Sequence, residues 1–143
     1  MLSYTCKTAV KAVIYLASKY KSGEKSGMKE ISKYIDASEH TVGKIMQTLV
    51  KQGVINSSKG PSGGFYISKE QCKQTIMTIV EAIDGKQVFK ECGLALSKCS
   101  STHPCPIHND YKKAKDKIEK LFNSKKVIDL CDPVILGLAH LTG

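Results

Sequence analysis

The stretch KGPSG, residues 59–63, limits the possible folds of this 143-residue chain more than any other part of its sequence. Glycine, proline and serine in a row favour a tight turn, and the segments on either side, VINSS (54–58) and GFYIS (64–68), are rich in β-forming residues. The pattern therefore predicts a β-hairpin. It does not predict a phosphate-binding loop, because such a loop opens a helix instead of joining two strands.

Three helices are predicted before the hairpin, over residues 4–20, 28–35 and 39–52. The third has a narrow apolar face, and we expect Ser38 to cap its start and Gly53 to end it. Its apolar residues are Val42, Ile45, Met46 and Leu49. The order helix, helix, helix, strand, strand is that of a winged helix-turn-helix domain, with the hairpin as the wing. An ordinary hairpin packed on a helical bundle is the alternative.

Two more helices are predicted after the hairpin, over residues 74–83 and 109–122. The second is strongly amphipathic, and its apolar stripe needs a cover, for which a partner subunit is the economical choice. The stripe consists of Tyr111, Ala114, Ile118, Leu121 and Phe122. The fold class predicted is mainly α with a small β-hairpin. It divides into a winged helix-turn-helix domain (1–84), a cysteine-rich loop (85–108), and a dimerisation helix with a C-terminal tail (109–143).

The charge of the chain points to a polyanionic partner. The net charge is +9, and residues 1–70 carry eleven lysines against five acids. Such a basic half is typical of a protein that binds nucleic acid, although a solvated lysine surface gives the same composition. No apolar run is long enough to span a membrane, and the first residues do not resemble a signal peptide, so we expect a cytoplasmic protein without a membrane partner.

The predicted third helix and hairpin would supply the contacts to double-stranded DNA. Lysine recognises guanine and glutamine recognises adenine in the major groove, whereas hydroxyl groups and further lysines bind phosphates. The candidate residues are His40, Thr41, Lys44, Gln47, Thr48, Lys51, Lys59 and Ser62. The chain contains no Walker loop, no serine-centred nucleophile elbow and no His-x-Glu zinc-deaminase motif, so we do not expect an enzyme.

The six cysteines fall into two groups. Cys6, Cys72 and Cys131 stand alone and are expected to be small buried apolar residues. Cys92, Cys99 and Cys105 lie close together, a pattern that indicates metal or redox chemistry in a reducing compartment. Their spacing is wider than that of zinc knuckles and favours an iron–sulfur cluster, either 2Fe-2S or 4Fe-4S; zinc and metal-free redox thiols remain alternatives.

These features together resemble the Rrf2 family of bacterial winged-helix regulators, and the resemblance covers essentially the whole chain. It is carried by AVKAVIYLA (9–17), by VKQGVINSSKGPSGGFYIS (50–68) and by the three-cysteine loop. It implies a homodimer that binds palindromic operators and often carries an iron–sulfur cluster. The chain departs from the family pattern in having six residues between Cys92 and Cys99 rather than five, and a lysine at position 59 where arginine is usual.

The resemblance also makes His108 the first choice for a fourth metal ligand, because it follows Cys105 by three positions as in related three-cysteine members. The alternatives are His103, Cys6 of a partner subunit, or a small external molecule.

Overall fold

The helices α1 (Tyr4–Ser18), α2 (Met28–Ile35) and α3 (Glu39–Lys51) build the first part of the computed structural model, which describes residues 1–142. The four apolar residues predicted for α3 are all buried. Ser38 caps this helix, since its Oγ accepts a hydrogen bond from the Thr41 N–H at 3.2 Å. Gly53, with φ +74°, follows its last turn. Both predicted caps are therefore confirmed.

The hairpin consists of β1 (Asn56–Ser58) and β2 (Gly64–Tyr66), which pair antiparallel with Asn56 opposite Tyr66. Both strands are shorter than predicted. Val54 and Ile55 precede β1 and are both buried. Because successive residues of a strand point to opposite faces, two consecutive buried residues fit a segment embedded in the core better than the start of a hairpin strand.

A third backbone segment extends this small sheet. Ser26, just before α2, exchanges two backbone hydrogen bonds of 2.9 Å with Phe65. Gly64 has φ +143°, and a Cβ atom there would lie 3.0 Å from the Ser26 carbonyl oxygen. A Cβ atom on Gly63 would lie 2.3 Å from the Ser58 carbonyl oxygen. The two glycines of the turn are therefore required by backbone that passes close to them.

Three further helices complete the chain: α4 (Ile76–Ile83), α5 (His108–Ser124) and α6 (Val127–Ile135). α4 begins two residues later than predicted because the Gln74 carbonyl accepts the Val127 N–H at 2.9 Å, which holds this segment in extended form. α5 begins at His108, one residue earlier than predicted, and Asp110 lies in its first turn. α6 lies in the segment predicted as a tail and packs on α1 of the same chain.

The helices enclose one apolar core, and the winged-helix fold class is confirmed. Cys6, Cys72 and Cys131 are fully buried in that core, as expected for isolated cysteines. Within residues 1–142, no helix combines the length and the apolar character needed to cross a bilayer.

Candidate metal centre and nucleic-acid interface

The loop between α4 and α5 is a succession of tight turns. The Ala95 N–H bonds to the Cys92 carbonyl at 2.9 Å, and the His108 N–H bonds to the Cys105 carbonyl at 3.0 Å. Between them, Ser100 and His103 close a third turn at 3.1 Å. Each turn reverses the chain, and together they return residues separated by up to thirteen positions to one place.

Cys92, Cys99 and Cys105 converge within this loop. Their three sulfur atoms all lie within 4.8 Å of one another, and the Sγ atoms of Cys92 and Cys105 are 3.6 Å apart. The backbone N–H groups of Leu94 and Cys105 each point to a cysteine sulfur at 3.4 Å, to Cys92 and Cys99 respectively. Three adjacent sulfur donors with N–H groups directed at them are a donor set that suits a thiophilic metal.

His108 lies beside the cysteines, whereas the other two protein candidates for a fourth ligand do not. The His108 Nδ1 atom is 3.2 Å from the Cys99 Sγ atom. The His103 ring is exposed and contacts the Thr102 hydroxyl at 3.3 Å. Cys6 is buried inside its own domain, where burial and the nearby Asp84 carboxylate raise its pKa to about 12. That environment disfavours the thiolate that a metal requires.

The loop cysteines have a different electrostatic environment from Cys6. Backbone N–H groups of Leu96 and Leu94 lower the pKa of the Cys92 thiol to about 7. At Cys99, the backbone N–H of Cys105 lowers the pKa, but burial and hydrogen bonds shared with the neighbouring thiols outweigh it, so the net shift is upward. The Cys92 thiol is therefore partly ionised near neutral pH, and its negative charge opposes the ionisation of a second thiol nearby unless a cation is present.

A lysine of α5 that is absent from the predicted apolar stripe packs against the same loop. Lys115 is buried, and its ammonium donates to the Glu91 carbonyl at 2.6 Å and lies 5.2 Å from the centre of the Tyr111 ring. The Tyr111 ring packs under Gly93, where a Cβ atom would lie 2.8 Å from it. The sequence carries only part of this signal: Lys115 follows Tyr111 by four residues and precedes Ile118 by three, which places it on the apolar stripe of the helix but does not show which way its side chain turns.

The predicted DNA contacts lie on α3 and on the wing. His40, Lys44, Gln47 and Lys51 are exposed on α3, and Lys59 and Ser62 are exposed in the turn of the hairpin. Thr41 and Thr48 are half-buried, and their hydroxyl groups already form hydrogen bonds within the chain. Ser38 donates to the Thr41 hydroxyl at 2.8 Å, and the Thr48 hydroxyl donates to the Lys44 carbonyl at 3.1 Å.

The N-terminal half of α3 borders a groove of about 310 Å³ between the start of α1 and the end of α4. His40, Lys44 and Thr48 line one side of it, and Thr5 and Ile83 line the other. The exposed polar face of α3 therefore continues across the surface onto its two neighbouring helices.

Comparison with known proteins agrees with this architecture. A family model described as "Rrf2: Iron-dependent Transcriptional regulator" matches residues 2–133. The chain is 33% identical over 132 residues to a protein of Aquifex aeolicus (strain VF5) named for the HTH-type transcriptional regulators, covering 91% of this chain and 90% of that protein. It is 24% identical over 133 residues to the HTH-type transcriptional regulator NsrR of Geobacillus kaustophilus (strain HTA426), covering 92% and 89%.

Solved structures show the same fold. The cysteine regulator CymR of Bacillus subtilis superposes with a TM-score of 0.75 at 19% identity, covering 92% of this chain and 96% of that one. T. potens IscR superposes with a TM-score of 0.72 at 19% identity, covering 97% and 91%. The relatives are regulators rather than enzymes, which confirms that expectation. Since the family model spans nearly all of the chain, the protein belongs to the Rrf2 family of transcriptional regulators.

Proposed function

We propose that this protein is a homodimeric DNA-binding regulator of the bacterial cytoplasm whose operator binding is controlled by an iron–sulfur cluster. The observation that carries the proposal is the convergence of three cysteine sulfurs within 4.8 Å, in a chain whose family is described as iron-dependent. Thiolates are the usual ligands of such clusters. The donor set therefore fits the group that the family description implies.

Cys92, Cys99 and Cys105 would hold the cluster, and His108 is the proposed fourth ligand. His108 is supported by its position 3.2 Å from Cys99 and by the burial of Cys6 elsewhere in the chain. When bound, a cluster would supply iron that changes charge and is attacked by small oxidants. The N–H groups of Leu94 and Cys105 would stabilise thiolate charge on their cysteines in either state.

The coupling of this loop to DNA would run through α4. α4 packs against α3 on one side and against α5 on the other, and the loop joins the C-terminus of α4 to the N-terminus of α5. A change in the loop therefore acts on two helices, one of which supports the proposed recognition helix. We propose that occupancy or redox state of the metal centre alters the position of α3 by this route.

DNA recognition is proposed for the exposed face of α3 in the major groove and for the wing at the flanking backbone. Lys44 and Gln47 would contact base edges, and the remaining residues would contact phosphates or the minor groove. Those remaining residues are His40, Thr41, Thr48, Lys51, Lys59 and Ser62. A two-fold dimer would place two such faces on a palindromic operator.

Dimerisation is proposed through α5. Part of the apolar stripe is covered within the same chain, because Phe89 packs edge-on against Phe122, with ring centres 6.2 Å apart. Leu121 nevertheless stays 48% exposed, beside an apolar groove of about 340 Å³ that Val10 and Leu130 also line. A second copy would remove this surface from water.

A structural zinc site is the second candidate, and one distance favours it. The 3.6 Å separation between the Cys92 and Cys105 sulfurs is close to the roughly 3.8 Å expected for two thiolates on one tetrahedral ion with bonds of about 2.3 Å. As a zinc protein, it would use the metal to stabilise the loop. It would contact other proteins through the same scaffold, without regulated DNA binding.

Anaerobic reconstitution tests the proposal. The purified protein should take up iron and sulfide, show absorption between about 300 and 600 nm from sulfur-to-iron charge transfer, and bind one duplex selected from random DNA differently with and without the cluster. Cys99→Ser should remain colourless under the same treatment, and Cys72→Ser, which alters a buried core thiol, should keep the colour. If the protein is colourless and contains zinc, or if the metal does not change operator binding, the proposed function is wrong and the structural zinc site is favoured instead.

A further inference from the structure

Lys115 differs from the other lysines of α5. It is 8% exposed, whereas Lys112, one turn earlier, has 63% of its side chain exposed and pairs with Asp116 at 3.1 Å. Among the described residues, no carboxylate lies within 4.0 Å of the Lys115 ammonium. Its polar contact is the Glu91 carbonyl, and its other neighbour is the Tyr111 ring. A buried ammonium without an anion is costly, and such charges are normally paired.

The surroundings of Lys115 show which anion could pair with it. A cavity of about 240 Å³ lies between the loop and α5, and six of the residues around it concern this argument: Cys92, Cys99, Cys105, His108, Tyr111 and Lys115. Through Glu91, the ammonium is also tied to the residue directly before Cys92. The buried cation and the three sulfurs therefore share one cavity.

The charge of the proposed metal centre has the right sign for this pairing. A zinc ion and the oxidised cores of the common iron–sulfur clusters each carry about two positive charges, so three thiolate ligands leave about one net negative charge in every case. The three cysteines are half-buried, so that charge is partly shielded from solvent, and electrostatic interactions there are stronger than in bulk water.

We propose that Lys115 is a positioning residue whose ammonium provides the counter-charge of the metal centre. This inference rests on the proposed metal site but not on the identity of the metal. The hydrogen bond to Glu91 sets where the ammonium lies, and the positive charge stabilises three thiolates held together. In the metal-free protein the same charge has no anion to pair with, and it lowers the free energy of unfolding.

Cobalt(II) titration of the metal-free protein under anaerobic conditions tests the inference, with sulfur-to-cobalt absorption as the readout. Lys115→Gln keeps a hydrogen-bond donor and loses the charge, and it should bind cobalt about ten- to a hundred-fold more weakly, the range typical of residues that support metal ligands. Lys115→Arg keeps the charge and should stay within a few-fold of the wild type. Lys113→Met, which removes an exposed charge of α5 that does not border the cavity, should bind as the wild type does.

Stability separates this role from a structural one. The metal-free Lys115→Met and Lys115→Gln proteins should unfold at the same urea concentration as the wild type or higher, because an unpaired buried charge has been removed. If Lys115 had only a structural role, its replacement would instead destabilise the metal-free protein. Cobalt affinity unchanged in Lys115→Gln, or lowered equally in Lys113→Met, would overturn the inference.

The same variants distinguish failure of the inference from failure of the proposed function. A wild type that binds cobalt tightly but assembles no iron–sulfur cluster would overturn the proposed function alone. Where a cluster does assemble, its reduction potential should be more negative in Lys115→Gln than in Lys115→Arg, because reduction adds negative charge that the ammonium stabilises. Equal potentials would contradict the counter-charge, as would a wild type that takes up no cobalt.

Discussion

Cys92 and Cys6 show how one residue type acquires opposite chemistry in one chain. Hydrogen bonds from the backbone N–H groups of Leu96 and Leu94 lower the pKa of Cys92 to about 7, whereas burial and Asp84 raise that of Cys6 to about 12. Burial likewise raises the pKa of Cys72 to about 11. The thiolate is the form that binds metal and reacts with electrophiles, so the loop and the core are chemically distinct.

We expect iodoacetamide to modify Cys92 of the metal-free protein first. The rate of Cys92 modification should rise as the pH passes through about 7 and then level off, because the thiol is converted to the thiolate in that range. Cys99, whose pKa is raised, should lag, and Cys72 should stay unmodified in the folded protein. Mass spectrometry of digested samples between about pH 5 and pH 9 measures these rates. Equal rates at Cys92 and Cys72 would contradict the assignment.

At the scale of elements, the wing is held to the helical domain by backbone contact. Phe65 and Ser26 exchange two hydrogen bonds, and Gly64 permits that approach because it lacks a Cβ atom. The position of the wing is therefore linked to the segment that leads into α2, and through α2 to α3, which packs against it.

Gly64→Ala should lower the free energy of unfolding by about 1–3 kcal/mol, since it combines an unfavourable backbone conformation with a close contact to Ser26. Gly23→Ala is the matched control. Gly23 also has a positive φ, +69°, but nothing lies within 4 Å of a Cβ atom there, so its cost should be at the lower end. Urea unfolding measures the free energy of unfolding of both variants. If it falls equally in the two, the close contact with Ser26 does not contribute to the cost.

The recognition helix and the wing should contribute differently to DNA binding. Lys44→Ala should relax base preference at one operator position and cost about 1–3 kcal/mol on the preferred duplex. Lys59→Ala should weaken binding to all duplexes alike and reduce its salt dependence, as expected for a phosphate contact. Fluorescence anisotropy with matched and mismatched duplexes at several salt concentrations measures both effects. If both variants bind DNA as the wild type does, the assignment of α3 and the wing to the DNA interface is wrong.

For the whole molecule, apolar surface is left uncovered towards the C-terminal end. Leu121 is 48% exposed, and further along the chain Ile135, Leu136 and Leu138 are 50%, 70% and 79% exposed. Uncovered apolar residues of this size on neighbouring elements are typical of interaction surfaces. The proposed dimer gives this surface a partner of identical sequence.

Leu121→Glu should convert the dimer to a folded monomer, because a carboxylate would have to be buried without a partner at the subunit interface. Since Leu121 is half-exposed in the single chain, the fold itself should tolerate the change. Lys117→Glu, on the outer face of α5, is the control and should remain dimeric. Sedimentation velocity distinguishes the two species. A monomeric wild type would refute dimerisation through α5, and a dimeric Leu121→Glu would move the interface elsewhere.

Local rules were sufficient for much of the region that holds α3 and the hairpin. The apolar period of α3 marked the four residues that are buried, and the KGPSG stretch marked the hairpin. Ser38 and Gly53 marked the ends of a helix because caps depend on the residue and its immediate neighbours. The grouping of three cysteines in fourteen residues was likewise sufficient to indicate a metal or redox site.

Tertiary structure decided what depends on residues far apart in the chain. The spacing of Cys92, Cys99 and Cys105 showed that they share a loop. It did not show that their sulfurs meet beside His108, or that Cys6 is buried in the core. Nor could helix periodicity alone show that Lys115 is buried, because a long charged side chain on an apolar line is oriented by what packs against it. That orientation is set by the Glu91 carbonyl and the Tyr111 ring, which only the folded loop brings to it.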